Sequence, residues 1–143
     1  AGKFNQSLAF GELLASALRD MKWQGLAPGA KLDAAAFEKQ ALGTIALDTT
    51  LIPPRYRSPY FRHIWSGGYS AGYYSYIRTE MLAHDAWDWV VKNGGPTRAN
   101  GEHVRATFLG QGHTKDYADM YRDYAGRDPQ IAPMLEARGL SGE

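Results

Sequence analysis

Apolar side chains recur along this chain at helical, not alternating, intervals. Between residues 4 and 23, Phe10, Leu13, Leu14, Ala17, Leu18 and Met21 fall at three- and four-residue steps, the stripe of an amphipathic helix. Gly25 and Pro28 end it. A second helix is predicted over 34–47: Asp33 is a good N-cap, Leu32 can pack on Phe37 as a hydrophobic staple, and three alanines supply propensity. From 48 to 68 the pattern dissolves into Pro53, Pro54, Pro59, Gly67 and Gly68, a long connector with a short turn of helix near 59–65. Its aromatics Tyr56, Tyr60, Phe61 and Trp65 argue against disorder. The longest helix is predicted over 69–92, buried where it begins and partly wet where Arg78, His84, Asp85, Asp88 and Lys92 enter, and stopped by Asn93-Gly94-Gly95-Pro96.

Thr97 should cap a shorter helix carrying Val104 and Phe108, broken by Gly110 and Gly112. Thr114 should cap another, in which Tyr117, Met120, Tyr121 and Tyr124 form a stripe before Gly126. Residues 133–138 make a last short turn, closed by Gly139. No alternating run bounded by hairpin turns occurs, so strands have no support. The expected fold class is all-α, an irregular helical bundle, with residues 1–143 as one domain.

At 143 residues the chain is long enough to bury about two thirds of the surface its unfolded form exposes. Sixteen basic and fifteen acidic side chains leave a net charge of +1, so no electrostatic footprint for nucleic acid or an anionic membrane is present. No apolar run approaches the roughly 20 residues that span a bilayer, and the N-terminal residues lack the basic, apolar and small-residue regions expected of a secretory signal. The absence of cysteine removes thiol nucleophiles, thiolate metal sites and disulfides. It leaves the compartment open between cytoplasm, the expected one, and periplasm. Nine tyrosines favour a ligand-facing surface or a large interface, with core packing as the plain alternative.

Candidate chemistry concentrates in His63-Ile64-Trp65-Ser66-Gly67-Gly68-Tyr69-Ser70-Ala71-Gly72-Tyr73-Tyr74-Ser75-Tyr76. On a helix, Tyr69, Tyr73 and Tyr76 would share one face. Phenols beside a histidine can donate hydrogen bonds to an oxygen that becomes negative in a transition state. Gly67 and Gly68 would let the backbone pivot and close over a substrate. A tyrosine stripe is more often core than catalysis, and His63 can equally be a satisfied structural histidine. Metal chemistry lacks support: His63, His84, His103 and His113 are widely separated, no H-E-x-x-H occurs, and His84 with Asp85 and Asp88 reads better as a solvated helix face. There is no nucleophile elbow and no phosphate-loop spacing. Arg55 and Arg57 could fork a carboxylate, although soluble loop residues are the simpler account.

The chain also resembles a known family, and the match extends past the tyrosine run. Phe4-Asn5-Gln6, then Glu12-Leu13-Leu14-Ala15-Ser16-Ala17-Leu18-Arg19-Asp20-Met21, Arg57-Ser58-Pro59-Tyr60-Phe61, Glu80-Met81-Leu82-Ala83, Gly94-Gly95, and the ending Gly126-Arg127-Asp128-Pro129 with Met134-Leu135-Glu136-Ala137-Arg138-Gly139-Leu140 carry it. Together they resemble the carboxy-terminal segment of bacterial peptidyl-dipeptidases of the thimet-oligopeptidase-like zinc metallopeptidases. The resemblance implies part of a larger, two-lobed helical shell that cleaves short peptides with one zinc ion. The zinc-binding H-E-x-x-H helix of that family is missing from this sequence, so no metal ligand is expected here. By resemblance, His63 and Tyr73 stabilise the oxyanion, while Tyr69, Tyr76, Gly67 and Gly68 meet the substrate. The implied partners are short peptides and the remaining, N-terminal part of the same enzyme. The segment alone is expected to be inactive, and apolar surface left bare by its absent partner would favour a homodimer. Two other readings stay open: a stand-alone helical module that binds peptides without cleaving them, and a structural domain with inward tyrosines.

Overall fold

The computed structural model describes residues 3–45 and 48–141, and these are all-α, with no strand among the described residues. Two compact units, Ala1–Arg78 and Thr79–Glu143, divide the chain. No helix is long and apolar enough to cross a membrane.

The first unit begins with α1 (Gln6–Gln24), closed by Gly25. Its inward face differs from the expected stripe. Leu14 and Met21 are exposed, whereas Gly11, Ala15, Ser16, Ala17, Arg19 and Asp20 are buried. Two adjacent charges face inward there, Asp20 on the amides of Ala71 and Tyr73 and Arg19 on Glu38 through Nη1 alone, pairings that apolar spacing does not reveal. Helix α2 (Ala34–Leu42) starts where expected, with the Asp33 carboxylate accepting the Ala36 amide at 2.7 Å. It stops at Gly43, earlier than the predicted end; Ala46 and Leu47 lie outside the described residues.

Glu38 of α2 gathers the connector. Its Oε2 accepts Arg19 Nη1 at 2.8 Å and, from Ser58, the amide at 2.8 Å and the hydroxyl at 2.7 Å, while Oε1 pairs with Arg57 Nε at 2.6 Å. Burial pushes the Glu38 carboxyl up, but the Ser58 hydrogen bonds and the two guanidiniums outweigh it and hold the group below its usual range. Trp23 donates to the Ser58 hydroxyl at 2.9 Å and Trp65 to the Ser58 carbonyl at 2.8 Å. So fixed, the connector forms a 3₁₀ turn (Ser58–Tyr60) and then α3 (Arg62–Ser66), in the place predicted for a short helical turn. The core of this unit is Ala17, Phe61, Ile64 and Tyr73, with Leu13, Trp23, Tyr56 and Ile77 packed against it.

The next helix, α4 (Ser75–Lys92), is shorter than predicted. Residues 69–74 are outside any helix, with turns over 70–74 and Ala71 at φ +54°, a left-handed conformation that no helix interior accommodates. The start of α4 is also wetter than expected, since Tyr76 is exposed and Ile77 only half-buried.

In the second unit, Asp85 is the one fully buried residue of α4. Its carboxylate accepts both terminal nitrogens of Arg127 at 2.7 and 2.8 Å, the Gln130 amide at 3.0 Å and the Tyr121 hydroxyl. Arg138 forks Glu80, with two bonds of 2.7 Å. Helix α5 (Arg98–Val104), capped by Thr97 as expected, runs into a π-helical turn (Arg105–Leu109) that Gly110 closes by bonding the Arg105 carbonyl at 2.7 Å. Helix α6 (Tyr117–Ala125) is capped by Asp116 rather than Thr114, whose hydroxyl donates instead to the Gln111 carbonyl. Met120, Tyr121 and Tyr124 face inward, and Tyr117 is exposed. Last comes α7 (Ala132–Arg138), ended by left-handed Gly139.

Candidate functional site

All four nominated aromatic residues, His63, Tyr69, Tyr73 and Tyr76, meet in the first unit, although by a different route from the one the spacing suggests. The i, i+4, i+7 pattern does not lie on one helix: His63 rides on α3, Tyr69 and Tyr73 on the segment between α3 and α4, and Tyr76 on the opening turn of α4. Their rings nonetheless form one cluster. The His63 ring lies 5.7 Å from Tyr69 and 6.1 Å from Tyr73 between centroids, edge-on to the latter. Tyr69 and Tyr76 stack at 5.4 Å, and Tyr73 tilts against Tyr76 at 5.0 Å.

The chain turns between α3 and the tyrosines with Gly67 following closely on α3, where a side-chain carbon would come within 3.2 Å of the His63 carbonyl. Gly68 stands at φ +76°, which a residue with a side chain rarely adopts. The Ser70 hydroxyl then donates to the Ile64 carbonyl at 2.7 Å, tying the turn back to α3.

Within the cluster the rings have different surroundings. Tyr73 is 5% exposed, wedged edge-on against Phe61 at 4.9 Å. Tyr69 and Tyr76, at 36% and 40%, reach solvent, as does His63. The Tyr73 hydroxyl makes no hydrogen bond among the described residues. Burial raises its pKa, with Tyr56 adding to the rise and Arg55 opposing it, so the phenol keeps its proton and remains a donor at neutral pH. Tyr76 is raised chiefly by its hydrogen bond with Tyr69, then by burial. A buried ring whose phenol keeps its proton, flanked by a histidine and two solvent-facing phenols, suits recognition of an oxygen that gains negative charge.

Two neighbours were not singled out by sequence reasoning. Tyr56 stacks on Phe61 at 5.1 Å and on His63 at 6.4 Å, and in the sequence only its aromatic character within a proline-rich connector marked it. Asp20 reaches the turn from α1, and nothing in the local pattern announces it. Of the two connector arginines, Arg57 is ion-paired with Glu38, and Arg55 lies over the Tyr56 ring at 5.8 Å. His84 faces Glu80 at 3.7 Å, and Asp85 is committed to Arg127. Among the described residues no group of three His, Asp or Glu side chains could hold a metal ion.

The sequence is 47% identical to a dipeptidyl carboxypeptidase of Salmonella typhimurium over 98% of this chain and 21% of that protein. It is 46% identical to a dipeptidyl carboxypeptidase of Escherichia coli over 99% of this chain and 21% of that protein. Oligopeptidase A of Escherichia coli is 38% identical over 57% of this chain and 12% of its own length. The chain thus spans about a fifth of the length of the dipeptidyl carboxypeptidases it matches. The profile of peptidase family M3 matches residues 3–140, practically the whole chain and every residue of the aromatic cluster. This chain belongs to peptidase family M3.

Proposed function

We propose that the chain is the carboxy-terminal part of a zinc-dependent peptidyl-dipeptidase, which releases dipeptides from the carboxy terminus of short peptides, and that it contributes one face of the active site. Likeness to two dipeptidyl carboxypeptidases along nearly the full chain supports the reaction class. The described residues do not fit a zinc ion, since no three candidate ligands converge. The metal's ligands would therefore come from polypeptide beyond this segment, and no step at the metal is assigned to these residues.

The observation that carries the reading is the Tyr73 phenol, without a hydrogen-bond partner among the described residues while its ring is held by Phe61, His63 and Tyr76. When water adds to a peptide carbonyl, the oxygen becomes an anion. In our reading Tyr73 and His63 donate hydrogen bonds to that oxygen more strongly than to the neutral carbonyl, which lowers the barrier and not merely the binding energy. Tyr69 and Tyr76, stacked and open to solvent, bind the substrate beside it, and Gly67 and Gly68 let the backbone approach.

The test is Tyr73→Phe in the full-length enzyme. Removing one donor of this kind costs on the order of 10²–10³ in kcat. KM for a short blocked peptide should change by no more than a few fold. An unchanged kcat would dismiss the assignment.

A further inference from the structure

Asp20 has no exposed surface, yet none of the proposed chemistry uses it. Both of its oxygens are spent on backbone far away in sequence. Oδ1 accepts the amide of Ala71 at 3.1 Å, and Oδ2 accepts the amide of Tyr73 at 3.0 Å, across separations of 51 and 53 residues. Between these amides the chain is in an unfavourable state, because Ala71 sits at φ +54° where its side chain crowds its own backbone. Such a conformation persists only where surrounding contacts over-determine it. Here the contacts are identifiable: the Asp20 carboxylate from α1, and the Ser70 hydroxyl bonded to the Ile64 carbonyl, which also accepts Gln24 Nε2 at 3.3 Å.

The consequence concerns aim. A tyrosine hydroxyl lies far from its own amide, so a small rotation of the backbone at Tyr73 sweeps the phenol through a large arc. The turn would relax toward ordinary helical geometry if the two amides lost their acceptor, and the run 69–76 would then approach the continuous helix that its sequence spacing suggests. On such a helix Tyr73 would leave its place against Phe61 and His63. We propose that Asp20 is a positioning residue: from the core of α1 it holds the 71–73 turn out of the helix and thereby points the Tyr73 phenol at the reacting oxygen. The proposal rests on the reading of Tyr73 as an oxyanion donor.

The test is a double-mutant cycle in the full-length enzyme, with Asp20→Asn, Tyr73→Phe and the pair. Asparagine preserves the shape but offers one acceptor oxygen to two converging N–H groups and turns a donor toward the other. Displacement of a catalytic group by about 1 Å can cost on the order of 10² in rate. Asp20→Asn should therefore lower kcat by about tenfold to a hundredfold, with KM within about threefold of the parent. Because the effect passes through the phenol, Asp20→Asn in the Tyr73→Phe background should lower kcat by no more than about threefold further.

An Asp20→Asn enzyme that melts at a lower temperature but keeps its kcat per folded molecule would overturn the proposal, as would effects that multiply in full across the cycle. If Tyr73→Phe itself leaves kcat intact, the reading of Tyr73 fails instead. A measurement on the unmodified enzyme covers the case in which Asp20→Asn does not fold. The Ala71 and Tyr73 amides, outside any helix, should be protected from hydrogen exchange to a degree comparable with the interior of α1. Exchange at the rate of an open loop would defeat the proposal.

Discussion

Asp85 shows how a single buried carboxylate is held by the groups around it. Its carboxylate has no solvent exposure and receives hydrogen bonds from Arg127, Tyr121 and Gln130. Burial pushes its pKa up, but the hydrogen bonds from Arg127, Tyr121 and the Gln130 amide more than reverse this, and the carboxyl sits below its usual range. Burial, followed by the Asp85 hydrogen bond, raises the Tyr121 phenol, which stays a donor at any physiological pH. The sign of the pH effect follows: the folded chain binds the Asp85 proton less readily than the unfolded chain does. Its stabilisation is therefore complete above the unfolded carboxyl value of about 3.9 and is lost as pH falls through the lower folded value. Replacing Asp85 by Asn should cost about 3 kcal/mol at pH 7, the lower end for a broken buried pair, because Arg127 is 32% exposed and can recover some solvation. Urea unfolding from pH 7 down to pH 3 checks both points. The variant should be less stable at neutrality and should lose less stability below about pH 4; parallel curves would contradict the account.

At the scale of elements, capping separates expectation from structure most cleanly. Thr114 and Asp116 are both good caps by residue type, and the structure gives α6 to Asp116, whose carboxylate accepts the Ala118 amide at 2.8 Å. Asp116→Ala should cost about 1 kcal/mol in thermal or urea unfolding. Thr114→Ala, which removes only an exposed bond to the Gln111 carbonyl, should cost less than half of that. The reverse order would return the cap to Thr114. Several helix ends were legible from local signals: Asp33 and Thr97 cap as read, and Gly25, Gly126 and Gly139 end α1, α6 and α7. What stayed illegible was set by partners distant in sequence. The spacing of Tyr69, Tyr73 and Tyr76 fits a helix, but Asp20 on α1 and the Ser70 bond to Ile64 draw residues 70–74 into turns. The inward face of α1 was misread for the same reason, since the buried Arg19 pairs with Glu38 and lies over the Phe61 ring, both distant in sequence. The aromatic cluster was visible because His63 through Tyr76 are nearly contiguous. Tyr56 was missed because its contact with His63 depends on how the proline-rich connector folds back.

For the whole molecule, the consequences follow from a chain that spans about a fifth of its relatives' length. Large apolar side chains stand in the open on both units: Phe4 and Leu51 at 79% and 75% on the first, Leu109 and Trp87 at 76% and 55% on the second. Single exposed apolar residues are ordinary, but a set this bare is what a piece of a larger shell would present where its neighbour normally lies. Two outcomes are expected for the 143-residue chain made alone. It should fail to hydrolyse a blocked tripeptide in the presence of zinc, because no three of its described side chains converge on a metal. It should also self-associate as concentration rises, with size-exclusion volume shifting from monomer toward dimer, since burying part of that apolar surface is favourable at about 25 cal/mol per Å². The two results are informative together. Turnover by the chain alone would place the whole reaction within these residues and end the divided-site reading. A monomer that persists at high concentration would mean that its exposed apolar groups are too scattered to form an interface. Adding the remaining polypeptide supplies the decisive contrast: if that polypeptide is the natural cover of these residues, it should dissolve the dimer and restore hydrolysis in the same titration.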